Sequence, residues 1–395
     1  MADASSSPFR VVIAGGGVAG LEAALALRDL LGDGVEIKLV TPERDFVYRP
    51  MAVAEPFARG SAQRHAVAKI AADLGVELVH ERLERVDDRA RHAVTDGGQE
   101  LPYDALLVAV GAASEPAYDR ARTWTPEADA EIYGGLLEDV EQGYSKHVAF
   151  VVPDDVYWPL PAYELALMTA WDVQAMGQDD VAITVYTHEE AALGIFGAAA
   201  SAALGEDLAE AGVAVRTAVR VAESADGHLL VDPGGEDLRD QRVVALPRAV
   251  GHPVDGLPSD ERGFVPSDEF GRVPGTEAVW VAGDAGTFRI KQGGLAAQQA
   301  DVAARSIAAA AGAEVQAEPF RPVLRGVLLT GRGQAWMRGD PDAEADGGAV
   351  ARRALFWPPT KIAGRYLSPY LAGLEGEEPP EGEEPSGELV DLKLA

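Results

Sequence analysis

The stretch "VVIAGGGVAGLEAALALRDLL" (residues 11–31) decides the fold. Arg10–Ala14 reads as a short buried strand, and Gly15, Gly17 and Gly20 follow in G-x-G-x-x-G spacing. From Val18 the pattern turns helical, with Leu21, Ala24, Leu25, Arg28 and Leu31 recurring at intervals of three and four. "VEIKLV" (35–40) is the next strand. In such a strand–turn–helix, Gly15 permits the tight turn, Gly17 leaves room for a pyrophosphate against bare backbone, and Gly20 lets helix and strand pack closely. Val18, Ala19 and Gly20 open the helix, whose free N–H groups and dipole favour phosphate. The acidic residue that usually holds a ribose at the end of the second strand is replaced by Thr41, with Glu43 two positions on. Thr41 can supply one hydrogen bond, and Glu43 is either a second ribose ligand or a solvated turn carboxylate.

The whole chain bounds what can be built on that unit. Its 395 residues fit two or three domains, and 47% hydrophobic residues supply ample core. Sixty-four acidic against 34 basic residues give a net charge of −30, which opposes binding to nucleic acid or to an anionic membrane face. There is no cysteine, so disulfides, iron–sulfur clusters and thiol nucleophiles are excluded. "MADASSSPF" lacks the basic start and apolar run of a signal peptide, and no stretch is long and apolar enough for a transmembrane span. A cytoplasmic setting is expected. No P-loop, G-x-S-x-G or H-E-x-x-H motif occurs, and the histidines show no metal-ligand spacing.

Two further segments point to the nucleotide. "YDALLVAVGA" (103–112) reads as a strand ending in small residues, Ala109, Val110 and Gly111, beside which a cofactor can lie. "EAVWVAGDAGTFRIKQGGLAAQQADVAARSIAAA" (277–310) reads as a strand ending at Gly283–Asp284, followed after "KQGG" by a long helix beginning at Gly293, Gly294 and Leu295. A carboxylate at such a strand tip can bind a polyol; FAD carries a ribityl chain and NAD does not. Lys291 and the helix N-terminus can stabilise negative charge at a flavin's pyrimidine edge.

These three segments resemble the fingerprints of flavoproteins with two dinucleotide-binding domains, the FAD-dependent pyridine nucleotide-disulfide oxidoreductase group. "RDFVYRPMAVAEPF" (44–57), "GDAG" with "IKQGGLAAQQAD", and "PPTKIAGRYL" (358–367) resemble the sulfide:quinone oxidoreductases and type II NADH dehydrogenases within it. The resemblance implies an α/β fold of two Rossmann-like domains plus a small C-terminal domain. It implies Gly15, Gly17 and Gly20 at the FAD pyrophosphate, Asp284 at the ribityl chain, and Arg49 and Pro50 beside the cofactor. The implied domains are residues 1–113 and 251–319 for FAD, 114–250 for an NAD(P)-binding-like unit, 320–374 for a closing or homodimer domain, and 375–395 for a disordered acidic tail.

The second unit departs from the pattern. Between the strands "KHVAFVV" (146–152) and "VAITVYT" (181–187) and the helix from Leu160, the turn is "PDDVYWPLP" (153–161). It has no glycine, and Asp154 and Asp155 would repel a diphosphate. Tyr157 and Trp158 either cover the flavin or pack at the rim. Residues 114–145 read as a connection. Gln298 and Gln299 fall where the resembling type II dehydrogenases face quinone, but packing within the helix layer is favoured. In "LFWPPTKIAGRYLSPYLAGL" (355–374), Ile362, Tyr366 and Tyr370 are predicted to share one helical face that docks on the protein's own core or a sister subunit. The functional expectation is an FAD oxidoreductase that passes electrons from a small-molecule reductant to an electron acceptor, with Lys291 as the catalytic residue. The alternative is a flavin-binding scaffold.

Overall fold

A computed structural model describes residues 8–126, 129–178, 180–339, 348–376 and 390–391. The expected disorder of the acidic tail falls almost wholly outside the described residues. In chain order the elements that position the site are β1 (Phe9–Ala14), α1 (Val18–Leu31), β2 (Val35–Val40), β3 (Glu77–Val79), β4 (Ala105–Val108), β5 (Ala112–Glu115), β6 (Arg122–Thr123), α2 (Asp129–Glu141), β7 (His147–Val152), α3 (Leu160–Ala175), β8 (Ala182–Thr187), α4 (Ala198–Glu210) and β9 (Val213–Arg216). There follow β10 (Arg242–Ala245), β11 (Arg248–Gly251), β12 (Val279–Val281), α5 (Gly293–Ala310), β13 (Leu324–Leu329), β14 (Gln334–Gly339), β15 (Ala349–Ala351) and α6 (Leu367–Glu375).

The first sheet runs β12–β4–β1–β2–β3, all parallel, with β1 at its centre. Its strands are apolar on both faces, as a parallel sheet covered by helices requires; Val11, Ile13, Leu106, Leu107 and Val108 are fully buried. α1 and α5 pack side by side against it through small residues: a Cβ on Gly283 would lie 3.0 Å from Ala19 Cβ and 3.3 Å from Ala296 Cβ. The second sheet, β6–β10–β7–β8–β9, repeats the parallel arrangement. The two βαβ units seen in the sequence are therefore both formed. Between them the chain crosses twice, and the two crossings, β5 and β11, pair as an antiparallel ribbon.

Two local readings are corrected. Residues 114–145 are more than a connection, because Asp129–Glu141 forms α2. Tyr133, Leu136, Leu137 and Val140 recur at helical spacing and are buried against α3 and Phe57. The second correction concerns 355–374. Ile362 and Tyr366 precede the helix, which spans only Leu367–Glu375. Pro358, Pro359 and Gly364 hold the approach irregular, and Pro369 sits in the first turn, where its missing N–H costs nothing.

A buried carboxylate fastens the C-terminal segment to α1. Glu22, on α1, accepts the backbone N–H groups of Tyr366 (2.8 Å) and Leu367 (2.7 Å) and so caps α6. Gly364 is needed there, since a Cβ would lie 2.6 Å from Glu22 Oε2. α6 thus docks on its own core through Leu367, Leu371 and Ala372, while the hydroxyls of Tyr366 and Tyr370 donate to Asp29 and Asp73. β13, β14 and β15 form an antiparallel sheet. Among the described residues no helix is long and apolar enough to cross a membrane.

Candidate functional site

The glycine turn lies at the C-terminal edge of the first sheet, the edge where open parallel sheets bind ligands. Gly15 has φ +124° and its N–H donates to Val40 O (2.8 Å). A Cβ there would come within 2.0 Å of Ala109 O, and one on Gly20 within 1.8 Å of Gly15 O. These two glycines let β1, β4 and α1 close on one another. Gly17 differs: nothing lies within 4 Å of where its Cβ would be, so its face is open for a ligand. Val18 and Ala19 open α1 behind it. The same sheet edge carries Thr41, Ala109–Val110–Gly111 and Gly283–Asp284, which follow β2, β4 and β12. Thr41 is fully buried and its hydroxyl donates to Glu43 Oε2 (2.7 Å), which holds the exposed Glu43 carboxylate over the end of β2. This set fits an extended dinucleotide: open backbone for the phosphates, and a steered acid at the position of a ribose.

From this edge a cavity of about 700 Å³ opens toward the second unit. Arg49, Pro50, Asp284, Lys291 and Gly293 line it on the first-unit side; Trp124, Tyr157, Trp158 and Leu160 line it on the other. The structure thus brings five of the sequence-predicted residues together in one wall. Gly15, Gly17, Val18, Ala19, Gly20, Thr41, Glu43, Ala109, Val110, Gly111, Gly283, Gly294 and Leu295 lie outside its lining. Gly294 and Leu295 stand behind Gly293 at the start of α5, where Gln292 is the N-cap and accepts the Leu295 N–H (2.7 Å). Gln298 and Gln299 do not face the cavity. Gln298 bonds both backbone groups of Val323 and the Gly294 carbonyl, and Gln299 accepts the Gly283 N–H (2.8 Å).

Asp284 lines the cavity, yet protein surrounds it on its other sides. Burial raises its pKa above the usual carboxylate value, and the Lys291 and Arg49 charges oppose the rise. Lys291 is tethered: its ammonium donates to Asp284 O (3.1 Å) and to Gly286 O, and lies 3.8 Å from the centre of the Phe264 ring. Burial lowers its pKa to about 8, with Asp284 and Asp260 acting the other way. A lysine whose folded pKa is depressed binds fewer protons than the unfolded chain between about pH 8 and its ordinary value. Stability carried by this group therefore rises with pH across that window. We expect urea titrations at pH 7.5 and 9.5 to show wild type gaining on Lys291→Met over the interval; equal differences at both pH values would show that Lys291 is not buried as described.

Sequence reasoning missed the most buried ion pair among the described residues. Lys361 Nζ lies 2.6 and 2.7 Å from the two Glu164 oxygens, with the side chains 7% and 1% exposed. The ammonium also donates to Pro50 O (3.2 Å), and Glu164 accepts the Leu329 N–H (2.8 Å). One pair thereby joins the first unit, α3 and the C-terminal segment at the cavity wall. Burial pushes the Glu164 carboxyl upward, and Lys361 restrains it. The available signal was a lone carboxylate in the apolar run "LPAYELALMTAW".

The sequence model of the family "Pyridine nucleotide-disulphide oxidoreductase" matches residues 9–142. Sulfide-quinone reductase of Aquifex aeolicus is 27% identical over 207 residues, 50% of this chain; the matched part is 48% of that relative. The crystal structure of sulfide:quinone oxidoreductase from the same bacterium is similar with a TM-score of 0.76, at 20% identity, covering 87% of this chain and 86% of that one. A ferredoxin reductase of Rhodopseudomonas palustris is similar with a TM-score of 0.60 at 18% identity, covering 84% and 82% of the two chains. The likeness to that family model is thus confined to residues 9–142, while across most of its length the chain shares the fold of the sulfide:quinone oxidoreductase structure.

Proposed function

We propose that the chain is an FAD-dependent oxidoreductase that takes electrons from a small reductant and passes them to a quinone or another small acceptor, in the cytoplasm and without redox cysteines. The observation that carries this reading is the cavity of about 700 Å³ whose wall includes Asp284, Lys291 and the Gly293 helix start opposite Tyr157 and Trp158. FAD, when bound, supplies the two-electron chemistry that no side chain of this cysteine-free sequence can. Gly15, Gly17 and Gly20 would hold its pyrophosphate, Glu43 steered by Thr41 its ribose, and Asp284 its ribityl hydroxyls. Lys291 and the first N–H groups of α5 face negative charge at the cavity wall.

The purified protein is expected to be yellow. Anaerobic addition of sulfide or another small reductant should bleach it, and a quinone should restore the colour. Bleaching by dithionite alone would favour the flavin-binding scaffold. Asp284→Ala removes charge-assisted hydrogen bonds, each worth about 1.5–3 kcal/mol, so FAD affinity should fall at least ~10-fold. A variant that leaves a desalting column fully loaded would refute the ribityl assignment.

A further inference from the structure

The second unit repeats the strand–turn–helix of the first, and the turn from Pro153 to Pro159 joins β7 to α3 where the first unit carries its glycines. Three features of that turn are unlike the first unit's. The first is charge. Asp155 Oδ1 lies 2.9 Å from Arg248 Nε and Asp155 Oδ2 lies 3.2 Å from Arg262 Nη1, while Asp154 Oδ1 stands 4.0 Å from Arg248 Nη2. Two guanidinium groups converge on one carboxylate, as they would on a phosphate.

The second feature is the helix tip. Pro159 is the N-cap of α3 and Pro161 its second residue, so Pro161 offers no N–H; the Ala162 N–H is already spent on Pro159 O (3.0 Å). The backbone donors that make a helix start attract anions are depleted here. The third is anchorage. Arg248 also donates to Ala117 O (2.6 Å) and lies over the Tyr118 ring, and Arg262 donates to Ala249 O (2.6 Å) and lies over the Phe264 ring. Arg248 belongs to β11 of the crossing ribbon, and Arg262 follows it toward the first unit. Both arginines are thus engaged by Asp155 and by backbone carbonyls.

We propose that Asp155 is a built-in substitute for a nucleotide phosphate: it occupies the two arginines that face the turn of the second unit and closes that unit to dinucleotides. This deepens the oxidoreductase reading and rests on it for one consequence. The reductant must enter the cavity without a nucleotide handle, as a small molecule recognised by the walls that Tyr157, Trp158 and Arg289 provide. Arg289 lies over the Tyr157 ring at 5.1 Å and so stiffens that wall.

The test is calorimetric titration with ADP-ribose and with inorganic pyrophosphate, a readout that needs no flavin turnover. Wild type loaded with FAD, so that the glycine turn of the first unit is filled, should show no binding at millimolar ligand. Asp154→Asn/Asp155→Asn keeps the shape of the turn and frees Arg248 and Arg262, so ADP-ribose affinity should rise at least ~10-fold. Adding Arg248→Gln should abolish the gain, which locates it in the second unit rather than in the glycine turn of the first. Asp155→Glu should behave as wild type. Wild type binding ADP-ribose as tightly as the double variant, or a folded double variant with no gain, would overturn the proposal. If the double variant does not fold, Asp155→Asn alone carries the same comparison. A colourless protein that still shows the Arg248-dependent gain would sink the flavin reading and leave this inference standing.

Discussion

Replacing Lys361 by methionine is expected to destabilise the protein by about 3–5 kcal/mol, because it strands the Glu164 carboxylate in a site with almost no water. Glu164 must then either stay charged without its cation or take up a proton at neutral pH, and both cost free energy. The double variant Glu164→Gln/Lys361→Met should recover most of the loss, since glutamine still accepts the Leu329 N–H and no charge remains. Chemical denaturation of the wild type and the two variants reads this directly. A single variant within ~1 kcal/mol of wild type would mean the pair is open to solvent.

The second large effect is expected at the glycine turn. A methyl group on Gly20 would stand 1.8 Å from the carbonyl oxygen of Gly15, an atom of the backbone that cannot rotate away. Gly20→Ala must therefore push α1 off β1, at a cost of about 3 kcal/mol or more. Retained FAD should drop in step, because the same shift moves the Gly17 backbone. Gly17→Ala is the informative contrast. Its Cβ meets no protein atom, so the fold should hold while any ligand bound against that face is displaced. Equal melting temperatures for wild type and Gly20→Ala would refute the close approach.

These positions also show what a sequence discloses. The glycine turn, the strand tip at Asp284 and the start of α5 are local: a few neighbouring residues fix both conformation and chemistry. Both βαβ units follow from apolar runs and helical spacing within about thirty residues, so the layers of the fold were readable. The joints were not. Glu164 meets a partner 197 positions away, and nothing near it in the chain announces Lys361. α2 was overlooked because its polar lead-in hides the spacing of Tyr133, Leu136, Leu137 and Val140. Ile362 and Tyr366 have helical spacing by coincidence, because prolines and Gly364 govern the backbone there. Asp155 was legible as a charge that repels phosphate, but its two arginines come from the crossing ribbon and the segment after it, 93 and 107 positions along the chain.

The reach of Glu22 bears on how the molecule is made. Its carboxylate sits on the helix that follows the glycine turn, and its backbone partners lie 344 and 345 residues downstream. During translation the nascent N-terminal half therefore carries a charge destined for burial, with nothing yet to satisfy it. The packing of the first helix is completed only once residues 366 and 367 have been made and can reach Glu22.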